Sequence, residues 1–256
     1  MSEALHAEWT KARTVPGTIW LLAGVITLTV SLGALVTAST KCGSAGCGQD
    51  PARVSLTGIY LGQAVVAVLA VLAISDEYST GMIRITLAAM PSRVTVLAAK
   101  AAVLAGLTVA AGAVAVLPSA LLGRLLLPGN GLGYPLDGAM LRAVAGSVLY
   151  LGLIALLSLG VATVVRESAV AIGFVLTLLF VFPIVAHFVS NTTWQRHLEQ
   201  IGPMTAGMAI QDTVNLASQP IGPWPGLGVL AAWAAGSLLL GGLVLRLRDA
   251  LPARRH

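Results

Sequence analysis

Charge is what this chain most lacks. Only 10% of its 256 residues are Asp, Glu, Lys or Arg, where a soluble domain carries roughly 25%. With 57% apolar residues and a mean hydropathy of +0.89, there is too little polar surface to cover a globule. Most of the chain is therefore dissolved in lipid, which excludes one or two soluble domains of this length. Aromatics are scarce, at 5%, and no Lys/Arg run carries interleaved aromatics. The net charge of +5 therefore fits basic loops that orient spans and not a nucleic-acid partner. No G-x-x-x-x-G-K-[ST] occurs, so nothing cradles a nucleotide's phosphates and no cofactor is expected in this chain. No H-E-x-x-H occurs, and no paired carboxylates lie within the apolar segments. A membrane serine protease needs a G-x-S-G nucleophile and a His on another span. Ser147 and Ser158 lack those flanking glycines, and His187 is the only histidine in an apolar segment. The chain reads as not an enzyme. Cysteine is limited to Cys42 and Cys47 in "STKCGSAGCGQD", a spacing open to a small disulfide ring or to two free thiols. With no added ligands nearby, a metal site is not expected.

What is present is six long apolar segments, near Val15–Ala38, Leu56–Ser75, Ala101–Leu126, Ala143–Val165, Ala169–Ser190 and Gly226–Leu245. Each matches the roughly 20 residues a membrane helix needs. The first is too long for a usual signal peptide and is followed by five more, so it reads as a signal anchor. The expected fold is an all-α polytopic membrane protein, one transmembrane domain over residues 1–256. An even number of spans puts both termini on one side. If that side is inside, inner segments hold ten basic residues (Lys11, Arg13, Arg84, Arg93, Lys100 and Arg166 among them) against five outside. The positive-inside rule predicts cytoplasmic termini in a bacterial cytoplasmic membrane. The segment 191–225 is then the longest outer loop, broken by Pro203, Pro220, Pro223 and Pro225.

The spans almost lack ionisable residues, and proton- or sodium-coupled carriers generally need them at mid-membrane. Lys100, Arg124, Arg142 and Arg166 read as span-end residues that snorkel. Pro118 and Pro183 predict kinks, and Gly106/Ala110, Ala232/Gly236 and Ser237/Gly241 give small-xxx-small spacings. In residues 3–14, Leu5, Trp9 and Ala12 share a face opposite Glu3, Lys11 and Arg13, predicting an interfacial elbow helix. In "ISDEYSTGMIRITLAAMPSRVTVLAAK", Ile83, Leu87 and Met90 fall at i, i+4 and i+7 between Gly81 and Pro91, a short amphipathic helix. Asp76 and Glu77 are expected near its start.

The residues of that stretch resemble the segment after the second span in ABC transporter permeases of the type-2 exporter class, of an actinobacterial type. The matching positions are Glu77, Thr80, Gly81, Arg84, Leu87, Pro91, Ser92, Arg93 and Lys100. "EWTKARTVPGTIWLL" and "IGPMTAGMAIQDT" are similar to further parts of that family. The resemblance implies a coupling helix that seats on a separate ATP-binding cassette subunit, which would carry ATP and Mg. The contacts would be Ile83, Arg84, Leu87 and Met90, with Glu77, Gly81 and Arg93 at the hinges. It also implies a second permease copy or a sister subunit, with short re-entrant helices in 191–225. Polar or aromatic residues inside the spans become candidate pathway residues: Thr27, Ser31, Thr37, Tyr60, Gln63, Thr177 and Phe180. A cavity so apolar suits a hydrophobic or amphipathic cargo such as a drug, an antibiotic or a lipid-like product, moved outward. A non-transporting scaffold or sensor with this fold, or a secondary carrier, is the alternative reading.

Overall fold

The computed structural model describes residues 2–40, 49–82, 93–127 and 137–247. Ile83, Arg84, Leu87 and Met90, the face of the expected coupling helix, lie outside the described residues, as do Cys42 and Cys47. Among the described residues every regular element is helical.

Six helices are long and apolar enough to cross a membrane. They are α2 (Pro16–Ser39), α4 (Ile59–Ser79), α5 (Arg93–Leu126), α6 (Gly138–Val165), α7 (Ser168–His187) and α10 (Pro223–Leu247). A helix α1 (Ser2–Thr14) precedes them. A single turn, α3 (Pro51–Ser55), introduces α4, and α8 (Thr192–Ile201) with α9 (Pro203–Met208) separate α7 from α10. The end where α2 begins and α10 finishes is called here the near end, and the other the far end.

Burial sorts the spans. The apolar window of α6 is 61% buried and that of α2 only 17%, so α6 is the central post and α2 an outer member. Helices α4, α5, α7 and α10 pack around α6. The core runs through Val66, Ala70, Ile74, Tyr150, Leu151, Ile154, Leu157, Val175 and Leu230. Outward faces are apolar, with Trp20, Leu35, Phe188 and Leu239 largely exposed, as lipid requires of a surface it wets. Where α6 and α10 touch, Gly160 and Gly241 allow the approach. A Cβ on Gly160 would lie 2.5 Å from the backbone of Ser237, and one on Gly241 would lie 3.0 Å from Thr163 Cβ. The small residues expected at Gly106 and Gly236 face open space instead, so of those spacings only Ser237/Gly241 is shown against a close neighbour.

Two prolines act differently. Pro118 sits inside the continuous α5. Pro183 follows a π-helical turn, Thr177–Val181, in which the Phe182 N–H reaches the Thr177 carbonyl. Because Pro183 has no N–H to donate, the ladder is broken there, and the wider turn re-pairs its neighbours.

The third span departs most from expectation. It begins at Arg93, not Ala101, and its 34 residues make a rod of about 50 Å, longer than the roughly 30 Å hydrocarbon core. Lys100 therefore stands about 10 Å inside the helix. It does not snorkel: it is 5% exposed and is held by two carboxylates.

Candidate coupling site at the near end

Four charged side chains from three helices meet at the near end. Glu8 and Lys11 come from one face of α1, Glu77 from the last turn of α4, and Lys100 from the early part of α5. The Lys100 ammonium donates to Glu8 Oε2 at 2.5 Å and to Glu77 Oε1 at 2.9 Å. Lys11 donates to Glu8 Oε1 at 3.0 Å and to the same Glu77 Oε1 at 2.8 Å. Two carboxylates face two ammonium groups, so the cluster is neutral. Glu8, Glu77 and Lys100 are buried and Lys11 is partly exposed. Charges this dry persist only when paired and hydrogen-bonded.

This corrects one expectation. Glu77 was expected near the start of the coupling helix, where negative charge is favoured. It lies instead at the C-terminal end of α4, where the helix dipole disfavours it, and the two lysines outweigh that penalty. Helix α1 turns Trp9, half-exposed, away from the protein, as an interfacial helix does. Its protein-facing side is Ala4, Glu8 and Lys11, while Glu3 and Arg13 are exposed.

Burial alone would lower the Lys11 pKa, but hydrogen bonds and charge from Glu77 and Glu8 overcome it and hold the ammonium above its ordinary value of 10.5. A raised folded value means that the Lys11 contribution is fully present below about 10.5 and is lost as pH climbs through the folded value. The melting temperature should therefore fall as pH rises beyond that point. It should fall less in Lys11→Arg, whose guanidinium keeps its charge; equal declines in a thermal-melt titration would contradict this.

Further ties ring the same end. Arg166 closes α6 in a left-handed conformation (φ 63°), and its guanidinium lies 5.4 Å from the Tyr78 ring centroid, within cation–π reach. Arg93 donates to the Leu245 carbonyl at 2.7 Å, joining the start of α5 to the end of α10. Gly81 follows the α4 cap with φ 71°, a conformation that favours glycine. Of the expected coupling residues, Glu77 and Gly81 therefore stand before residues 83–92 in the chain, and Arg93 directly after them. Sequence reasoning missed Glu8, whose signal was its position three residues before Lys11 inside an otherwise ordinary amphipathic helix.

The candidate pathway residues are not gathered in one cavity of the single chain. Thr27 and Ser31 are exposed on α2, and Thr177 is exposed on α7. Thr37 is buried, at 1% exposure. Phe180 packs against the core. Gln63 is fully buried, accepting from the Tyr150 hydroxyl and donating to Met204 Sδ at 3.4 Å, so it ties α4, α6 and α9 together. Tyr60, at 41% exposure, lines a polar pocket of about 470 Å³ at the far end. There Asp50 caps α3 and accepts from Thr213 N at 2.5 Å, Thr213 Oγ1 at 2.6 Å and Val214 N at 3.1 Å. Asp212 is paired with Arg53, and its carbonyl accepts from Arg142; burial nevertheless pushes its carboxyl pKa up. Through these bonds, and through α9 buried against α10, the 191–225 segment folds back onto the bundle.

No protease constellation forms among the described residues. Ser158 donates to the Ile154 carbonyl, Ser147 has no hydrogen-bond partner, and His187 is exposed beside Gln195. No group of His, Cys, Asp and Glu suited to a metal occurs among them either.

Six apolar spans, one of them a buried post, with a charged junction at one end, define a multi-pass membrane protein. The model of the ABC-2 family transporter proteins matches residues 4–184, well over half of the chain, and the chain belongs to that family. It is thus the permease subunit of an ABC transporter, a class whose membrane domains are generally not catalytic and which associates with a separate ATP-binding subunit. No curated protein matches the chain. The match covers α1 through most of α7, the near-end junction included, and stops before α8–α10.

Proposed function

We propose that this permease serves an ATP-driven exporter that moves a hydrophobic or amphipathic substrate outward across a bacterial cytoplasmic membrane, with the near end and both termini in the cytoplasm. The observation that carries the reading is the four-charge junction of Glu8, Lys11, Glu77 and Lys100. It locks α1, α4 and α5 together on both sides of the 83–92 segment. A force on that segment would reach three helices as one body, which is what a coupling element requires. The ATP-binding subunit would seat on Ile83, Arg84, Leu87 and Met90, bracketed by Glu77, Gly81 and Arg93, and would carry ATP and Mg.

Thr27, Ser31 and Thr177 lie on exposed faces of α2 and α7, so they would border a pathway only in a pair of permeases, two copies or a copy and a sister chain. Tyr60 would then stand at its outer part, while Gln63, fully buried within one chain, would brace the wall from inside. The whole chain acts as one transmembrane domain, with α1 at the inner leaflet and 191–225 roofing the outer side. The scarcity of charge within the spans argues against a proton- or sodium-coupled carrier. A scaffold or sensor would not need the 83–92 segment to grip an ATPase.

The test is co-purification of tagged protein from its native membrane. Wild type should bring down an ATP-binding subunit, and Gly81→Pro combined with Leu87→Asp should lose it while the permease remains folded and abundant. If no such subunit accompanies abundant wild type, the exporter reading fails.

A further inference from the structure

Beside the charge junction lies a cavity of about 290 Å³ enclosed by α1, α2, α4 and α5. One wall is hydrocarbon, from Leu21, Leu69, Leu72 and Leu104 among others. The other end is ionic. Glu8, Asp76 and Glu77 line it against Lys11 and Lys100, so three carboxylates face two ammonium groups and one negative charge is left over. The junction consumes only one oxygen of Glu77. Both lysines donate to Oε1, while Oε2 is buried with no hydrogen-bond partner, on a side chain only 7% exposed. An ionised oxygen removed from water without a donor is costly. Asp76, one residue earlier, is exposed at the rim.

We propose that this cavity binds an amphiphile with a cationic amine head and a hydrocarbon tail. The ammonium donates to Glu77 Oε2 and is drawn in by Asp76, while the tail runs along α4 from Glu77 toward Leu69, eight residues or about 12 Å of helix. The excess negative charge selects against carboxylate and phosphate monoester heads, and the unpartnered acceptor selects an N–H donor over a quaternary amine. Such a molecule can come from the bilayer itself, as an amine-headed phospholipid, or as a free lipophilic amine. The free amine would be cargo; that half of the inference rests on the exporter reading, whereas binding itself does not.

The experiment uses purified full-length protein in nanodiscs of phosphatidylcholine, titrated with radiolabelled decylamine and corrected with empty discs. Expected is saturable binding above that background, with decanol failing to compete. Glu77→Gln should weaken it by about tenfold or more, as loss of a charge-assisted hydrogen bond implies. Asp76→Asn, which leaves the junction intact, should weaken it roughly two- to threefold. Should Glu77→Gln fail to fold, Asp76→Asn and Leu72→Trp, which fills the hydrocarbon wall, decide the matter, and both must reduce binding. Discs that include phosphatidylethanolamine separate the sources. If that lipid competes, the head is a membrane lipid's; if it does not, the site takes free amines, and both results uphold the proposal. Binding no greater than in empty discs, equal competition by decanol, or affinity unchanged in the folded variants overturns it. Because no ATPase is present, a negative result leaves the co-purification test untouched.

Discussion

Lys100→Met should abolish most folded protein. The substitution leaves Glu8 and Glu77 buried with only the partly exposed Lys11 between them. Removing one partner from a buried ionic cluster typically costs about 3–5 kcal/mol, because the other charge stays behind without compensation, and total stabilities are of order 5–15 kcal/mol. Fluorescence-detected size exclusion should show loss of the monodisperse peak, and any survivor should melt far below wild type. Charge balance supplies the complementary arm. Adding Glu8→Gln to Lys100→Met leaves one carboxylate and one ammonium, and folding should substantially recover. What should not recover is the link from α1 to α5, since Glu8 was the partner through which Lys100 held α1. A single variant with wild-type yield and melting temperature would show that the cluster does not hold these helices.

The second large effect concerns a glycine. A Cβ placed on Gly58 would lie 1.8 Å from the Thr29 carbonyl oxygen and 3.0 Å from the Gly33 nitrogen. Both obstacles are backbone, so neither can rotate away, and α2 must separate from α4. Gly58→Ala should cost about 3 kcal/mol or more, the upper range for overpacking. Gly106 provides the contrast: it lies within α5, and its Cβ would meet nothing within 4 Å. There Gly106→Ala should gain up to about 1 kcal/mol from helix propensity alone. Melting temperatures measured side by side should move in opposite directions, and a harmless Gly58→Ala would mean that α2 does not approach so closely.

Much of the architecture was readable because lipid imposes a simple rule. Apolar length alone located all six spans, and five of them begin within five residues of the expected positions. The third failed for an instructive reason. Hydropathy treats Lys100 as a charge to be kept in water, but two carboxylates from elsewhere in the chain make a dry place for it. No local window contains Glu8, Glu77 and Lys100 together. The same blindness hid Glu8: the face pattern of α1 was visible, but which of its residues meets protein depends on what α4 and α5 present. Gln63 stood out as a polar residue inside a span; its partners Tyr150 and Met204 lie 87 and 141 positions away, beyond any periodicity. Gly81 was legible because a left-handed turn after a helix leaves a signature in a single residue.

The junction also sets an order for building the protein. Glu8 is made well before the cation that completes its pairing, 92 positions downstream. Until α5 has been synthesised and inserted, Glu8 has only Lys11, three residues on, and Lys11 itself gains Glu77 when α4 is in place. The final seat of α1 does not exist until α5 has been made, and two spans, α2 and α4, precede α5 in the chain. Docking of α1 is therefore a late, long-range event of the kind that slows folding, and it can occur only after α4 and α5 stand side by side. Helix α1, made before the helices it secures, acts as the latch closed after they are in place.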